Sequence, residues 1–199
     1  MTNSPTISTA LPPEQLARRA KCFHPTGPFI EFKKEEIEQS IPERFERIVR
    51  MYPDRIAVKA KNQTLTYQEL NRSANRIANA ILAERGNSAE PLGLLFKGRV
   101  AMIAAILGTL KAGKFYVPLD PSYPKKKNAF VMKDSGAAVI VTDAQSFHSA
   151  IDTCGKGYQL IVTDNIDLNG SDENPRMSIA PNTFAYVLYT SGSTGSFKG

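Results

Sequence analysis

The strongest constraint on this chain is the alternation of short, continuously apolar runs with stretches of helical periodicity. Apolar runs fall at residues 56–58, 92–96, 115–117, 137–142, 160–163 and 183–189, and helix-period segments lie between most of them. A strand that is apolar at every position is buried on both faces, as strands of a parallel sheet are when helices cover it. The expected class is therefore α/β, with a mostly parallel, helix-covered sheet. A chain of 199 residues is long enough to bury one such core.

Local punctuation sharpens the helices. Ser40 and Glu43 form an S-x-x-E capping box, Phe45, Ile48, Val49 and Tyr52 then share one face, and Pro53 ends the segment. Thr66 and Glu69 make a second box, followed by Leu70, Ala74, Ile77, Ala78, Ile81 and Leu82 at helical spacing and by Gly86 as the stop. Residues 100–110 are apolar nearly all round, which predicts a buried helix closed by Gly113. Further helices are expected at 124–132 and 144–152, and residues 164–181 are polar and loop-like. Residues 1–32 read as an extension, because Pro5, Pro12, Pro13, Pro25 and Pro28 allow only a short helix near 14–21.

Bulk properties exclude several function classes. The longest apolar stretch, 100–107, is far short of a bilayer span, and the N-terminus carries no secretory pattern. No membrane role and a cytoplasmic location are expected. Cys22 and Cys154 stand outside any C-x-x-C pattern and read as free thiols; Cys22 and His24 have no second pair, so zinc is not expected. His148 is assigned an ordinary surface or helix-end role. The net charge of +6 is mild. Its densest cluster, Lys125, Lys126 and Lys127, has no interleaved aromatics to stack bases and reads as a solvated helix face, so no nucleic acid is expected.

The last ten residues carry the most chemistry. An apolar run at 183–189 delivers Thr190, Ser191, Gly192, Ser193, Thr194 and Gly195, with Lys198 shortly after. Glycines let the backbone approach an anion closely, successive N–H groups form an anion nest, hydroxyls add donors, and an ammonium opposes phosphate charge. Ligands of open α/β sheets sit at the carboxyl ends of strands, where this loop falls. The Walker A pattern is absent, because Ser196 and Phe197 separate Gly195 from Lys198; the hydrolase elbow is absent, because residue 194 is threonine.

Tyr189 through Gly195, with Lys198 and Gly199, resembles the signature loop of the adenylate-forming superfamily. Residues 110–121 (LKAGKFYVPLDP) and 65–71 (LTYQELN) resemble the second and first motifs of nonribosomal peptide synthetase adenylation domains, in that family's order. The resemblance runs from about residue 35 to the end. It implies that 33–199 is the incomplete N-terminal part of an AMP-binding (adenylation) domain, a partial, truncated ligase core with no complete catalytic set. In the family, ATP and a carboxylic or amino acid react to an acyl-adenylate, which passes to a phosphopantetheinyl carrier-protein thiol. By resemblance, Thr190, Ser191, Gly192, Ser193, Thr194 and Gly195 bind the ATP phosphates, Lys198 offsets charge on the leaving pyrophosphate, and Mg2+ bridges phosphate oxygens. Phe197 stands where the family usually has proline. The adenine-stacking segment, the ribose-holding acid and the mobile C-terminal subdomain with its lysine are outside these residues, so the chain alone is expected to be inactive. Alternatives are a non-catalytic fragment or pseudoenzyme acting as a protein-interaction module, and a nucleotide-binding domain without ligase chemistry.

Overall fold

Ser40 and Thr66 start helices where the sequence puts them. The computed structural model describes residues 12–21, 33–61, 63–154, 157–191 and 197–198. The chain divides into two units, Met1–Ile37 and Glu38–Gly199. The first contains helix α1 (Pro13–Lys21) and a short 3-10 turn at Lys34–Ile37.

The second unit opens with α2 (Ile41–Met51), whose N-cap Ser40 hydroxyl accepts the Glu43 N–H. Strands β1 (Ile56–Lys59) and β2 (Thr64–Thr66) form an antiparallel pair. Helix α3 (Tyr67–Arg85) follows, with both bonds of its capping box made. The Glu69 N–H donates to Thr66 Oγ1 at 3.2 Å and the Thr66 N–H to Glu69 Oε2 at 2.8 Å. Those donors hold the Glu69 carboxyl below its ordinary range, with the Thr66 backbone N–H the larger cause.

The core sheet is built from β3 (Pro91–Leu95), β4 (Phe115–Leu119), β5 (Val139–Thr142) and β6 (Gln159–Val162), in the order β4-β3-β5-β6 and all parallel. Helices α4 (Arg99–Lys111), α5 (Lys125–Ser135) and α6 (Phe147–Cys154) make the crossovers. The step from β3 to β4 runs one way along the sheet and the later steps run the other, so right-handed crossovers put α4 on one face and α5 and α6 on the opposite face. Side-chain alternation follows: Leu92, Leu94, Val139 and Val141 join the core under α3 and α4, whereas Leu95, Val117, Leu119 and Ile140 join the core under α5.

Four expectations are corrected. Residues 183–189 are extended but form only one isolated parallel bridge, Tyr116 to Tyr186, because a single pair of backbone bonds joins them to β4. Helix α4 is not buried all round: Val100, Ala104, Ala105 and 108–111 are buried, while Ala101, Met102, Ile103, Ile106 and Leu107 are only partly covered. Helix α5 continues past 132 to Ser135, ending where Gly136 takes φ +71, a conformation other residues seldom adopt. Nor is the lysine cluster merely solvated, since Lys127 Nζ lies 3.2 Å from the centre of the Tyr123 ring.

Two lysines are buried almost completely. Lys111 Nζ donates to the Glu46 carboxylate and to Asn174 Oδ1 (3.1 Å), tying α2, α4 and the loop after β6 together. Burial pushes its pKa below the usual lysine value, opposed by Glu46. Lys114 Nζ donates to the carbonyls of Gly86 (2.8 Å) and Ser88 and pairs with Glu90. The loop at 171–174 is fixed by a polar stripe on α3: Asn75 donates to the Asp172 carbonyl and Asn79 to the Ser171 carbonyl, while Arg76 pairs with Asp172.

Helices α3 and α4 pack so closely at Gly108 that an added Cβ would lie 2.7 Å from Ile77 Cγ2 and 2.9 Å from the Ala74 carbonyl oxygen. Gly108→Ala is therefore expected to lower stability by about 1–3 kcal/mol, read from the urea unfolding midpoint. An unchanged midpoint would show that the helices separate at no cost.

Candidate functional site

The terminal loop is placed by β4. The Tyr116 N–H donates to the Ala185 carbonyl at 3.1 Å, and the Val187 N–H donates to the Tyr116 carbonyl at 3.0 Å. These bonds run the segment parallel to β4, so it leaves the sheet at the carboxyl edge. Its side chains alternate. Val187 and Tyr189 pack on the core under α5, while Phe184, Tyr186 and Leu188 stay exposed. Ring contacts reinforce the register, with Phe184 against Phe115 (centroids 5.9 Å apart) and Tyr186 against Tyr116 (5.6 Å).

Tyr189 is the last anchor before the loop. Its hydroxyl donates to Asp134 Oδ2 at 2.7 Å, and its ring meets Phe130 edge-on at 6.4 Å. Phe130 and Asp134 lie four residues apart on one face of α5. Burial pushes the Tyr189 phenol up to about 12, with the Asp134 carboxylate adding to the rise. Sequence reasoning missed this anchor because it ended α5 too early; the glycine at 136 was the available signal.

Beyond Tyr189 the chain forms a hairpin from β7 (Thr190–Ser191) and β8 (Phe197–Lys198), antiparallel, with Thr190 opposite Lys198 and Ser191 opposite Phe197. Of the expected phosphate-binding residues, Thr190, Ser191 and Lys198 are thus brought together, while Gly192, Ser193, Thr194 and Gly195 lie outside the described residues. Thr190 is exposed. Phenylalanine at 197 keeps a backbone N–H for such a ladder, which proline would lack. At the neighbouring carboxyl end of β4, Asp120 accepts hydrogen bonds from the Ser122 hydroxyl (2.6 Å) and N–H (2.7 Å), and its pKa is lowered by them in that order. Asn128 of α5 donates to the Asp120 carbonyl at 2.8 Å and closes that turn.

Among the described residues, no group of three or more His, Cys, Asp or Glu is arranged to hold a metal. Nor is any helix long and apolar enough to cross a membrane.

A parallel sheet wound in two directions, with helices on both faces, defines a doubly wound α/β fold. Residues 45–199 match the family model described as AMP-binding enzyme, and the chain belongs to that family. It corresponds to the N-terminal part of an adenylation domain. It is 38% identical over 160 residues to zwittermicin A synthase ZmaJ of Bacillus cereus, covering 80% of this chain and 30% of that protein. It is 35% identical over 162 residues to tyrocidine synthase 1 of Brevibacillus parabrevis, covering 81% of this chain and 15% of that protein. The fold superposes on the nonribosomal peptide synthetase FmoA3 in its AMPPNP-bound form with a TM-score of 0.69 and 30% identity, over 75% of this chain and 16% of that one. The chain therefore spans less than a third of the length of these relatives.

The raised Tyr189 pKa sets a sign. Below pH 10 the phenol is neutral in folded and unfolded chains and its stabilisation is whole; between pH 10 and about 12 the unfolded chain loses its proton first, and that stabilisation is lost. Tyr189→Phe should remove this alkaline component. Unfolding free energies of both proteins across pH 9–12 test it, and identical pH profiles would contradict the anchor.

Proposed function

We propose that residues 33–199 form the phosphate-gripping N-terminal portion of an amino-acid adenylation domain, with 1–32 as an extension. In this reading the domain activates a carboxylic acid, most specifically an amino acid, as acyl-adenylate for transfer to a phosphopantetheinyl carrier thiol. The observation that carries it is the hairpin register that sets Lys198 opposite Thr190. A lysine paired in register with a hydroxyl-bearing residue, joined to it by a Gly/Ser/Thr sequence, is the residue chemistry that suits the tail of a triphosphate.

The residues have separable tasks. The N–H groups and hydroxyls from Thr190 to Gly195 hold the β- and γ-phosphates. Lys198 offsets the charge that builds on pyrophosphate as it leaves, which is electrostatic work and not proton transfer. Tyr189 and the Tyr116 pairing keep the loop aimed at the carboxyl edge. Magnesium, when bound with the nucleotide, would supply charge neutralisation to the phosphates that Thr190 to Gly195 and Lys198 hold. The acid pocket and the groups that contact the reacting carboxylate belong to parts of the family's domain outside this chain, so the chain alone grips ATP without turning it over. A soluble location such as the cytoplasm fits this role.

One observation favours a second reading. Phe184, Tyr186 and Leu188 present an exposed apolar row, as expected of a non-catalytic module that docks on another protein.

Titration calorimetry with MgATP separates the readings. The ligase reading predicts measurable affinity in the 199-residue chain, weakened about tenfold or more by Lys198→Ala, with no ATP–pyrophosphate exchange. A docking module predicts negligible affinity in both proteins. Robust exchange by the isolated chain would overturn the claim that it is inactive alone.

A further inference from the structure

The sheet carries a second concavity, at the carboxyl ends of β3 and β5. There α4 leads away to one side of the sheet and α6 to the other, and diverging connections of this kind leave a crevice in doubly wound folds. The crevice encloses about 860 Å³. That lies within the roughly 300–1,000 Å³ usual for small-molecule sites.

Its lining is strongly cationic. Lys59 comes from β1, Lys61 from the turn after it, and Lys97 and Arg99 from the β3–α4 connection. Segments far apart in sequence thus bring four positive groups to one hollow. None of the four is ion-paired with another described residue. Two carboxylates, Asp143 and Asp164, also line it, but each is engaged in holding the β5–α6 connection. Asp143 Oδ1 accepts the Ser146 N–H at 2.7 Å, and Asp164 Oδ2 accepts the Ala144 N–H at 2.8 Å.

The floor of the crevice is fixed. Thr142 Oγ1 donates to the Leu95 carbonyl at 2.7 Å, and the Lys97 N–H donates to Ser146 Oγ at 2.8 Å. Ser146 and Thr142 are fully buried, so the ends of β3 and β5 are locked together. Val100 and Ile103 supply an apolar wall. Helix α4 begins here with no side-chain cap and no acidic residue in its first turn, so its free N–H groups add to the positive field without opposing charge. A concave cluster of like charges on a rigid floor enriches anions, and a guanidinium beside ammonium groups suits phosphate oxygens best.

We propose that this crevice is a second anion site, separate from the terminal hairpin, which binds a small soluble ligand bearing phosphoryl groups. Lys97 and Arg99 are its principal contacts, and Lys59 and Lys61 close it from the β1 side.

Calorimetric titration of the 199-residue chain with inorganic pyrophosphate tests this. Lys198→Ala serves as background, to remove the hairpin's contribution. Binding should persist in that background and weaken about tenfold or more on adding Lys97→Glu and Arg99→Glu. A second pair, Lys59→Gln with Lys61→Gln, should weaken binding in the same direction, which keeps the test sound should the charge reversals impair folding. Lys125→Glu with Lys126→Glu, on α5, should leave binding unchanged. The proposal is overturned if the Lys198→Ala chain binds no pyrophosphate. It is overturned equally if the α5 pair weakens binding as much as the crevice pairs do, since general charge would then explain it.

Discussion

The hydrogen bonds that join Tyr116 to Ala185 and Val187 hold the rest of the site in place. They fix the last extended segment against β4, set its direction parallel to the sheet, and so decide at which edge the terminal hairpin emerges. Everything downstream inherits that geometry: Tyr189 reaches Asp134, and Thr190 meets Lys198 across the hairpin. Two bonds are a modest tether, worth about 0.5–1.5 kcal/mol each. The Phe184–Phe115 and Tyr186–Tyr116 ring contacts and the burial of Val187 supplement them.

The sheet was largely legible because its strands are apolar at most positions and its helices carry explicit start and stop signals. Thr66 and Glu69 form the expected reciprocal cap, and β3, β4 and β5 fall within a residue or two of their apolar runs. The failures are of two kinds: α5 runs on to a local stop at Gly136, whereas the others depended on partners remote in sequence. Residues 183–189 alternate like a strand, yet only Tyr186 bridges β4, and no local pattern sets the number of ladder bonds. The loop at 171–174 looked featureless, but Asn75, Arg76 and Asn79 on α3 hold it across nearly a hundred residues of chain.

For the site, residue identity was legible and arrangement was not. A Gly/Ser/Thr run followed by Lys198 leads to the phosphate-binding proposal from donor types alone. That Lys198 sits opposite Thr190 is a matter of hairpin register, set by how many residues the loop contains. The crevice between β3 and β5 was hidden for a related reason. Lys59, Lys61, Lys97 and Arg99 are scattered along the sequence, and only the packing of the β1 end beside the sheet of order β4-β3-β5-β6 gathers them. The same order makes α4 and α6 diverge, so one topological fact positions that hollow and the edge on which the terminal hairpin stands.

The central claim is that the backbone from Thr190 to Lys198 closes on the phosphates of ATP. Hydrogen exchange of the 199-residue chain, followed by mass spectrometry with and without saturating MgATP, tests it most directly. The account predicts slowed exchange in peptides spanning residues 190–199, with little change on the outer face of α3. Unaltered exchange across 190–199 at saturating nucleotide would contradict it.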